Sequence, residues 1–279
     1  MTERFFRPTH VSAFRTLAAV SWDAPRDPTI YGSEDVDVTR LMAWLQEVRE
    51  KTGQKVTPTH AVARAFAATL AEHPELNCTI RRGRVWQRKD VDVFLQVAVP
   101  HEEGSKLQGA DLSGVVLRQA DKLDTAGMAR KLTAQATRIK NRDDPVLART
   151  KKNLTWMPPW LGRWMMMLVV WLTHDLGLNL EKLGFPTDPF GSLLVTSVGM
   201  FGIRHAWAPL FPAARGIGVA VVGRVFDGVA VVDGKVVVRQ LLPLAMALDH
   251  RLVDGFQGSV MARGVLDRLA NPEKLDVLG

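Results

Sequence analysis

Residues 244–272 read LAMALDHRLVDGFQGSVMARGVLDRLANP, and this stretch decides the fold. Leu241 to Leu248 is an apolar run of strand length. It passes directly into Asp249-His250-Arg251-Leu252-Val253-Asp254-Gly255. From about Gln257 to Leu269 apolar residues return at helical spacing, and Pro272 closes the segment. A strand thus delivers a histidine to a turn, with Asp-Gly four residues on and a helix behind. Imidazole titrates near neutrality, so it can take and return a proton. The plainer readings are a structural histidine capping the helix and an ordinary Asp-Gly turn.

Upstream, Ser192 to Val198, Ile217 to Val222, Val229 to Val232 and Val236 to Arg239 are short apolar runs. Asp227-Gly228 and Asp233-Gly234 punctuate them as hairpin turns. Val91 to Val99 alternates and is β-branched, a further strand. Helical spacing runs from Val36 to Thr52 and from Thr125 to Ile139. Another helix opens at Thr57-Pro58, a cap with proline in the first turn, and stops before Pro74. Helices and strands intermix without a βαβ rhythm. The expected fold is α/β, a two-layer sandwich with a mixed β-sheet. There is no internal repeat and no low-complexity tract.

The formal charge is +7, but the basic residues are scattered. The densest group, Arg81, Arg82, Arg84, Arg88 and Lys89, carries no nucleic-acid motif, so no nucleic-acid partner is expected. One cysteine, Cys78, excludes an internal disulfide and any cysteine-based zinc site. His60 and His73 fall on a helix without evident partners, and His101, His174 and His205 show no ligand spacing, so no metal is expected. The N-terminus, MTERFFRPTH, lacks the apolar run of a secretory leader. A cytoplasmic location is expected, with membrane association left open.

One segment is out of character. Residues 154–173 read LTWMPPWLGRWMMMLVVWLT, with Arg163 the single charge. Pro158-Pro159 interrupts it, and the stretch from Trp160 to Leu172 is too short to span a bilayer. It reads as a buried interface helix, as a membrane-surface contact through Trp156–Leu172, or as the cover of a hydrophobic substrate channel.

The 244–272 stretch resembles the strand–DHRxxDG–helix pattern of the dihydrolipoyl acyltransferases of 2-oxo acid dehydrogenase complexes, which share the chloramphenicol-acetyltransferase-like fold. Other stretches match in order. Phe14 to Ala18 resembles the family's "RxxIA" helix, and Glu34 to Leu41 its "xxVDVTxL" stretch. Thr57 to Ala65 resembles "LTxxxxxxKA", and His73 to Asn77 resembles "yPeLNa". Val91 to Pro100 sits where "nIGVAVxxP" sits, and Leu194 to Gly202 resembles "FTISNLGMFG". The resemblance implies a single catalytic domain over 1–279, with an apolar insertion at about 141–189. No lipoyl or subunit-binding domain is expected before it, and no lipoyl attachment in this chain. Asp121-Lys122 introduces a helix and lacks the surrounding small β domain.

For this chain the resemblance implies CoA-dependent acyl exchange between a thiol and a thioester. His250 is the base. Thr196, or its neighbour Ser197, donates to the oxyanion. Asp254 holds the loop, with Arg15 as its implied partner, and Gly255 permits the turn. Coenzyme A is the implied substrate. The implied assembly is a homotrimer or a multiple of trimers whose active sites lie between chains, and a separate lipoylated protein is an implied partner. Three departures stand out: no lipoyl or subunit-binding domain is expected, the segment at about 141–189 is long and apolar, and Thr196 aligns with the family's serine, with Gly191 alone where the family has a glycine pair. The missing lipoyl domain, the altered serine position and the insertion leave room for a non-catalytic trimeric or cage-forming scaffold, and the apolar segment for an acyltransferase working at a membrane surface.

Overall fold

The computed structural model describes residues 27–99, 111–140, 159–183, 185, 188–211 and 213–277. Within them the elements run β1 (Thr29–Asp37), α1 (Thr39–Thr52), α2 (Pro58–Glu72), β2 (Cys78–Arg81), β3 (Arg84–Gln87), β4 (Val93–Val99) and β5 (Asp111–Leu117). Then follow α3 (Thr125–Lys140), α4 (Pro159–Val170), β6 (Leu193–Ser197), β7 (Gly218–Val222), β8 (Phe226–Val232), β9 (Lys235–Asp249) and α5 (Gly255–Ala270).

The main sheet has the order β1-β9-β7-β6-β4-β5, with β8 paired to β9. The β4–β6 and β6–β7 pairs are parallel, and the others are antiparallel. This is the expected α/β sandwich with a mixed sheet. One face of the sheet carries Leu95, Val115, Val195, Val222, Leu242 and Leu244 into a core shared with the helices. Leu41 and Leu45 of α1 enter it one turn apart, as do Met261, Val265 and Leu269 of α5. The Ala-rich stretch 61–70 of α2 is buried throughout, so the second layer lies tight against the sheet.

Polar side chains fasten this layer. Asp276 accepts from the backbone N–H and the hydroxyl of Thr125 at the start of α3, both at 2.8 Å. Arg64 of α2 is buried, and burial pulls its guanidinium below its ordinary value while nearby Asp276 opposes the shift. Arg268 of α5 pairs with Glu72 of α2. At the same crossing, a Cβ on Gly264 would lie 2.7 Å from Thr69 Cγ2, so the two helices meet where one has no side chain.

Several expectations change in detail. Asp227-Gly228 is not a turn. Asp227 lies opposite Gln240 and Gly228 opposite Arg239, inside the ladder. A Cβ on Gly228 would lie 2.5 Å from Leu241 Cδ1, the movable end of a neighbouring side chain. The turn is at Asp233-Gly234 alone, where both residues have φ near +50 to +75° (51° and 73°). The runs at 236–239 and 241–248 are one 15-residue strand, β9. Val36 and Asp37 end β1 rather than begin a helix. His60 does have a partner: the Thr57 N–H donates to its Nδ1 at 3.0 Å, and burial pushes its imidazole down to about 4. His73 lies 3.2 Å from Glu75. The basic group 81–89 belongs to the β2–β3 hairpin, where Arg88 pairs with Asp188 and the Arg82 N–H donates to Asp175 at 2.7 Å. The expected helix at 14–18 lies outside the described residues.

Gly191 is required by its place. Its φ is +64°, and a Cβ would sit 2.6 Å from the Asp92 carbonyl oxygen, beside the bond that Asp92 accepts from the Ser192 N–H. Gly53 has nearly the same φ, +67°, with nothing near its missing Cβ. Urea unfolding of Gly191→Ala should therefore show a loss of about 1–3 kcal/mol, exceeding that of Gly53→Ala. Equal losses would mean that the crowding at Asp92 has no cost.

Candidate active site

The site begins at the C-terminal end of β9. The strand lies antiparallel to β7, with Leu248 opposite Gly218, and the Asp249 N–H donates to the Ile217 carbonyl at 3.0 Å. Asp249 is buried, and Arg251 closes back on it. Arg251 Nε lies 2.9 Å from Oδ1, and Nη2 lies 2.6 Å from Oδ2. Burial would raise the Asp249 carboxyl, but these bonds from Arg251 outweigh it and hold the group below its ordinary value. The pair clamps the turn on both sides of His250.

His250 stands exposed at the turn. Its N–H donates to the Pro28 carbonyl at 2.9 Å, which ties the turn to the start of β1. Its Nδ1 lies 3.0 Å from the Val253 carbonyl oxygen. A carbonyl only accepts, so Nδ1 carries the proton and Nε2 presents the lone pair. The ring is fixed in the tautomer that a general base needs.

Asp254 serves the same loop from the helix side. It is the N-cap of α5: its carboxylate accepts from the Gln257 N–H at 2.8 Å, and its own N–H donates to Gln257 Oε1 at 3.0 Å. This reciprocal pair fixes where the helix starts. Arg15 lies outside the described residues. Gly255 is the first helical residue, with open space around its missing Cβ, so the turn does not depend on it in the way expected.

Thr196 and Ser197 end β6, opposite Val221 and Val222 of β7. Leu193 and Val195 point into the core, so the pleat sends Thr196 to the open face with Leu194, and Ser197 to the core side. The register separates these residues from His250. Leu193, Gly218 and Leu248 lie side by side across three strands. Thr196 lies beyond that line in one direction and His250 in the other. Strand geometry puts them ~16 Å apart along the strands and ~10 Å across them. Within one chain the base and the hydroxyl do not meet.

A cavity of about 410 Å³ opens on the open sheet face, beside the Asp249–Arg251 pair. Its floor is Leu194, Gly218 and Val219, and its far wall is Met166, Met167 and Val170 of α4. The sequence offered this segment as the cover of a hydrophobic channel among three alternatives, and two residues of the Met165–Met167 run line the cavity. Phe94, Phe190 and Phe211 stack on the same sheet face, at centroid separations of 5.3 and 5.2 Å. Among the described residues, no cluster of three His, Cys, Asp or Glu side chains is arranged to hold a metal ion.

Comparison with known proteins bears on the family and the fold. The family model for the 2-oxoacid dehydrogenases acyltransferase (catalytic domain) matches residues 17–144 and 189–277. The dihydrolipoyllysine-residue acetyltransferase component of the acetoin cleaving system of Bacillus subtilis is 25% identical over 244 residues, covering 86% of this chain and 48% of that protein. The chain spans about half the length of the curated relatives it matches. A probable dihydrolipoamide acetyltransferase from Listeria monocytogenes has a similar fold, with a TM-score of 0.63 and 16% identity over 95% of both chains. The cubic core of a pyruvate dehydrogenase multienzyme complex superposes with a TM-score of 0.64 and 19% identity, over 90% of this chain and 84% of that one.

The Asp249–Arg251 pair gives the site an acid limit. Asp249 titrates lower when folded than when unfolded, so its stabilisation is complete above the unfolded value, about 3.9, and is lost as pH falls through the folded one. Asp249→Asn should lower stability at neutral pH by about 1–2 kcal/mol and flatten the acid limb of stability against pH. An unchanged acid limb would show that the pair does not hold the turn.

Proposed function

Because the chain belongs to the 2-oxoacid dehydrogenase acyltransferase (catalytic domain) family, we propose that it moves an acyl group between two thiols, coenzyme A being one of them. The observation that carries this reading is the His250 ring, with Nδ1 committed to the Val253 carbonyl and Nε2 left as the base. Nε2 takes the proton from the attacking thiol. The thiolate sulfur attacks the carbonyl carbon of the thioester, and the carbonyl electrons move onto oxygen. The Thr196 hydroxyl donates to that oxyanion, a role typically worth about 2.7–4 kcal/mol of barrier. Collapse breaks the original C–S bond, and the departing thiolate recovers the proton from His250. The second thiol is the dihydrolipoamide of a separate lipoylated protein or a small molecule. Thr196 is favoured over Ser197 because it lies on the open face.

The separation of His250 and Thr196 within one chain supports a site completed by a second copy, as in a trimer. Two further features favour assembly. The β8–β9 hairpin exposes Val229 opposite Val238 and Val231 opposite Val236, an apolar surface on a projecting arm. The structural relatives also include the core of a multienzyme complex. Mixing chains tests this. His250→Ala and Thr196→Val should each reduce transfer by at least about 100-fold. Mixed oligomers of the two should recover roughly a quarter of the sites, since each variant supplies the group that the other lacks. No recovery on mixing would place both groups in one chain. Unchanged turnover in His250→Ala would remove the mechanism and leave the scaffold reading.

A membrane-surface contact is a second reading that one feature favours. Helix α4 turns Leu161, Trp164 and Leu168 outward on one stripe, with Trp164 72% exposed, and Trp171 in the π-helical turn that follows is exposed as well. No described helix is long and apolar enough to cross a membrane. The stripe, with a formal charge of +7, suits the surface of an anionic bilayer. The protein should float with vesicles containing anionic phospholipid, and Leu168→Glu should release it. Failure of the unaltered protein to float would remove this reading.

A further inference from the structure

We propose that the cavity between α4 and the open sheet face receives the apolar chain of the acyl group, so that the preferred thioesters carry uncharged hydrocarbon chains longer than acetyl. This inference rests on the acyltransferase reading above and adds the class of acyl group.

Three observations carry it. The first is where the wall comes from. The family match leaves out residues 145–188, and that stretch supplies Met166, Met167 and Val170. A feature that the family pattern does not contain has therefore been laid over the family's sheet. The second is position. Asp249 and Arg251 both line the cavity; His250 is the residue between them in the chain and does not itself line it, so the cavity adjoins the turn that carries the base. The third is chemistry. A volume of about 410 Å³ is that of a small-molecule site. Its walls are mostly apolar, Leu194, Leu210, Phe211 and Val219 among them, and the flexible thioethers of two methionines adapt to chains of different shape. At its margin Arg251 pairs with Asp249 and Arg215 with Asp175, and the Asp27 carboxylate accepts from Thr29, so the margin offers an added carboxylate no free cation among these groups. An uncharged chain gains by leaving water there, whereas an acyl group ending in a carboxylate would bring a charge with no partner.

Binding of acetyl-CoA, octanoyl-CoA and succinyl-CoA to the full chain by calorimetry tests this directly. Octanoyl-CoA should bind at least about tenfold more tightly than acetyl-CoA. Val170→Trp, which fills the cavity, should abolish that preference. Met166→Trp is the second variant; its side chain is partly in solvent, so the larger ring is accommodated without disturbing the core. Equal binding of acetyl and octanoyl thioesters, tighter binding of succinyl-CoA than of octanoyl-CoA, or a chain-length preference that survives both substitutions would overturn the inference. Turnover is scored separately. A chain-length preference in binding without any transfer supports the cavity's assignment and removes the acyltransferase reading. Transfer without any preference removes the assignment and keeps the reading.

Discussion

The register of β9 is the constraint on which the rest depends. This strand pairs with β1 along one edge and with β7 and then β8 along the other. A slip of one residue would turn Leu242, Leu244 and Leu248 out of the core and Asp249 into it. Three partner strands resist that slip together. The edge shared by β7 and β8 contains one irregularity: Gly223 to Val225 face only Leu242 and Pro243. The extra residue lets the hairpin bend away from the sheet while the C-terminal half of β9 stays in line. The turn that follows inherits its position from this frame. Asp249 is held by β7, the His250 backbone by the residue before β1, and Asp254 by the first turn of α5.

Much of this was legible in the sequence because it rests on local patterns. The DHRLVDG turn, the helix behind it and the Thr57-Pro58 start all depend on neighbours within a few residues. What was not legible depends on pairing at a distance. Strand β1 is mostly exposed along TIYGSEDVD, so no apolar alternation marks it. Asp227-Gly228 has the composition of a turn, yet both residues pair with β9, opposite Gln240 and Arg239. Gln240 interrupts the apolar pattern but not the strand, since its N–H donates to Thr39 Oγ1 at 3.1 Å. The resemblance to the acyltransferases assigned roles to His250, Thr196 and Asp254. It is silent on the Asp249–Arg251 clamp and on the wall that α4 builds, because one is a pairing of side chains and the other lies in residues that the family pattern does not include.

The two faces of the sheet are built differently. The helix side is closed by small residues and interlocked polar groups: Gly264 and the alanines of α2 bring the helices close to the sheet and to each other. The open side is covered by phenylalanines, methionines and tryptophans on long connections, which leave a cavity and an outward apolar stripe. Dense packing fixes the scaffold, and the looser layer over the other face carries the features that differ from the family pattern.

The bond from His250 to the Val253 carbonyl has a consequence for heat. That carbonyl sits immediately before Asp254, whose exchange of bonds with Gln257 begins α5. The base therefore keeps its tautomer only while the first turn of a helix stays wound, and helix ends open long before cores do. Warming should thus produce a population of molecules with an intact sheet and a freely rotating imidazole. The temperature at which the protein stops working then lies below the temperature at which it unfolds, and the gap between the two measures the stability of that single turn.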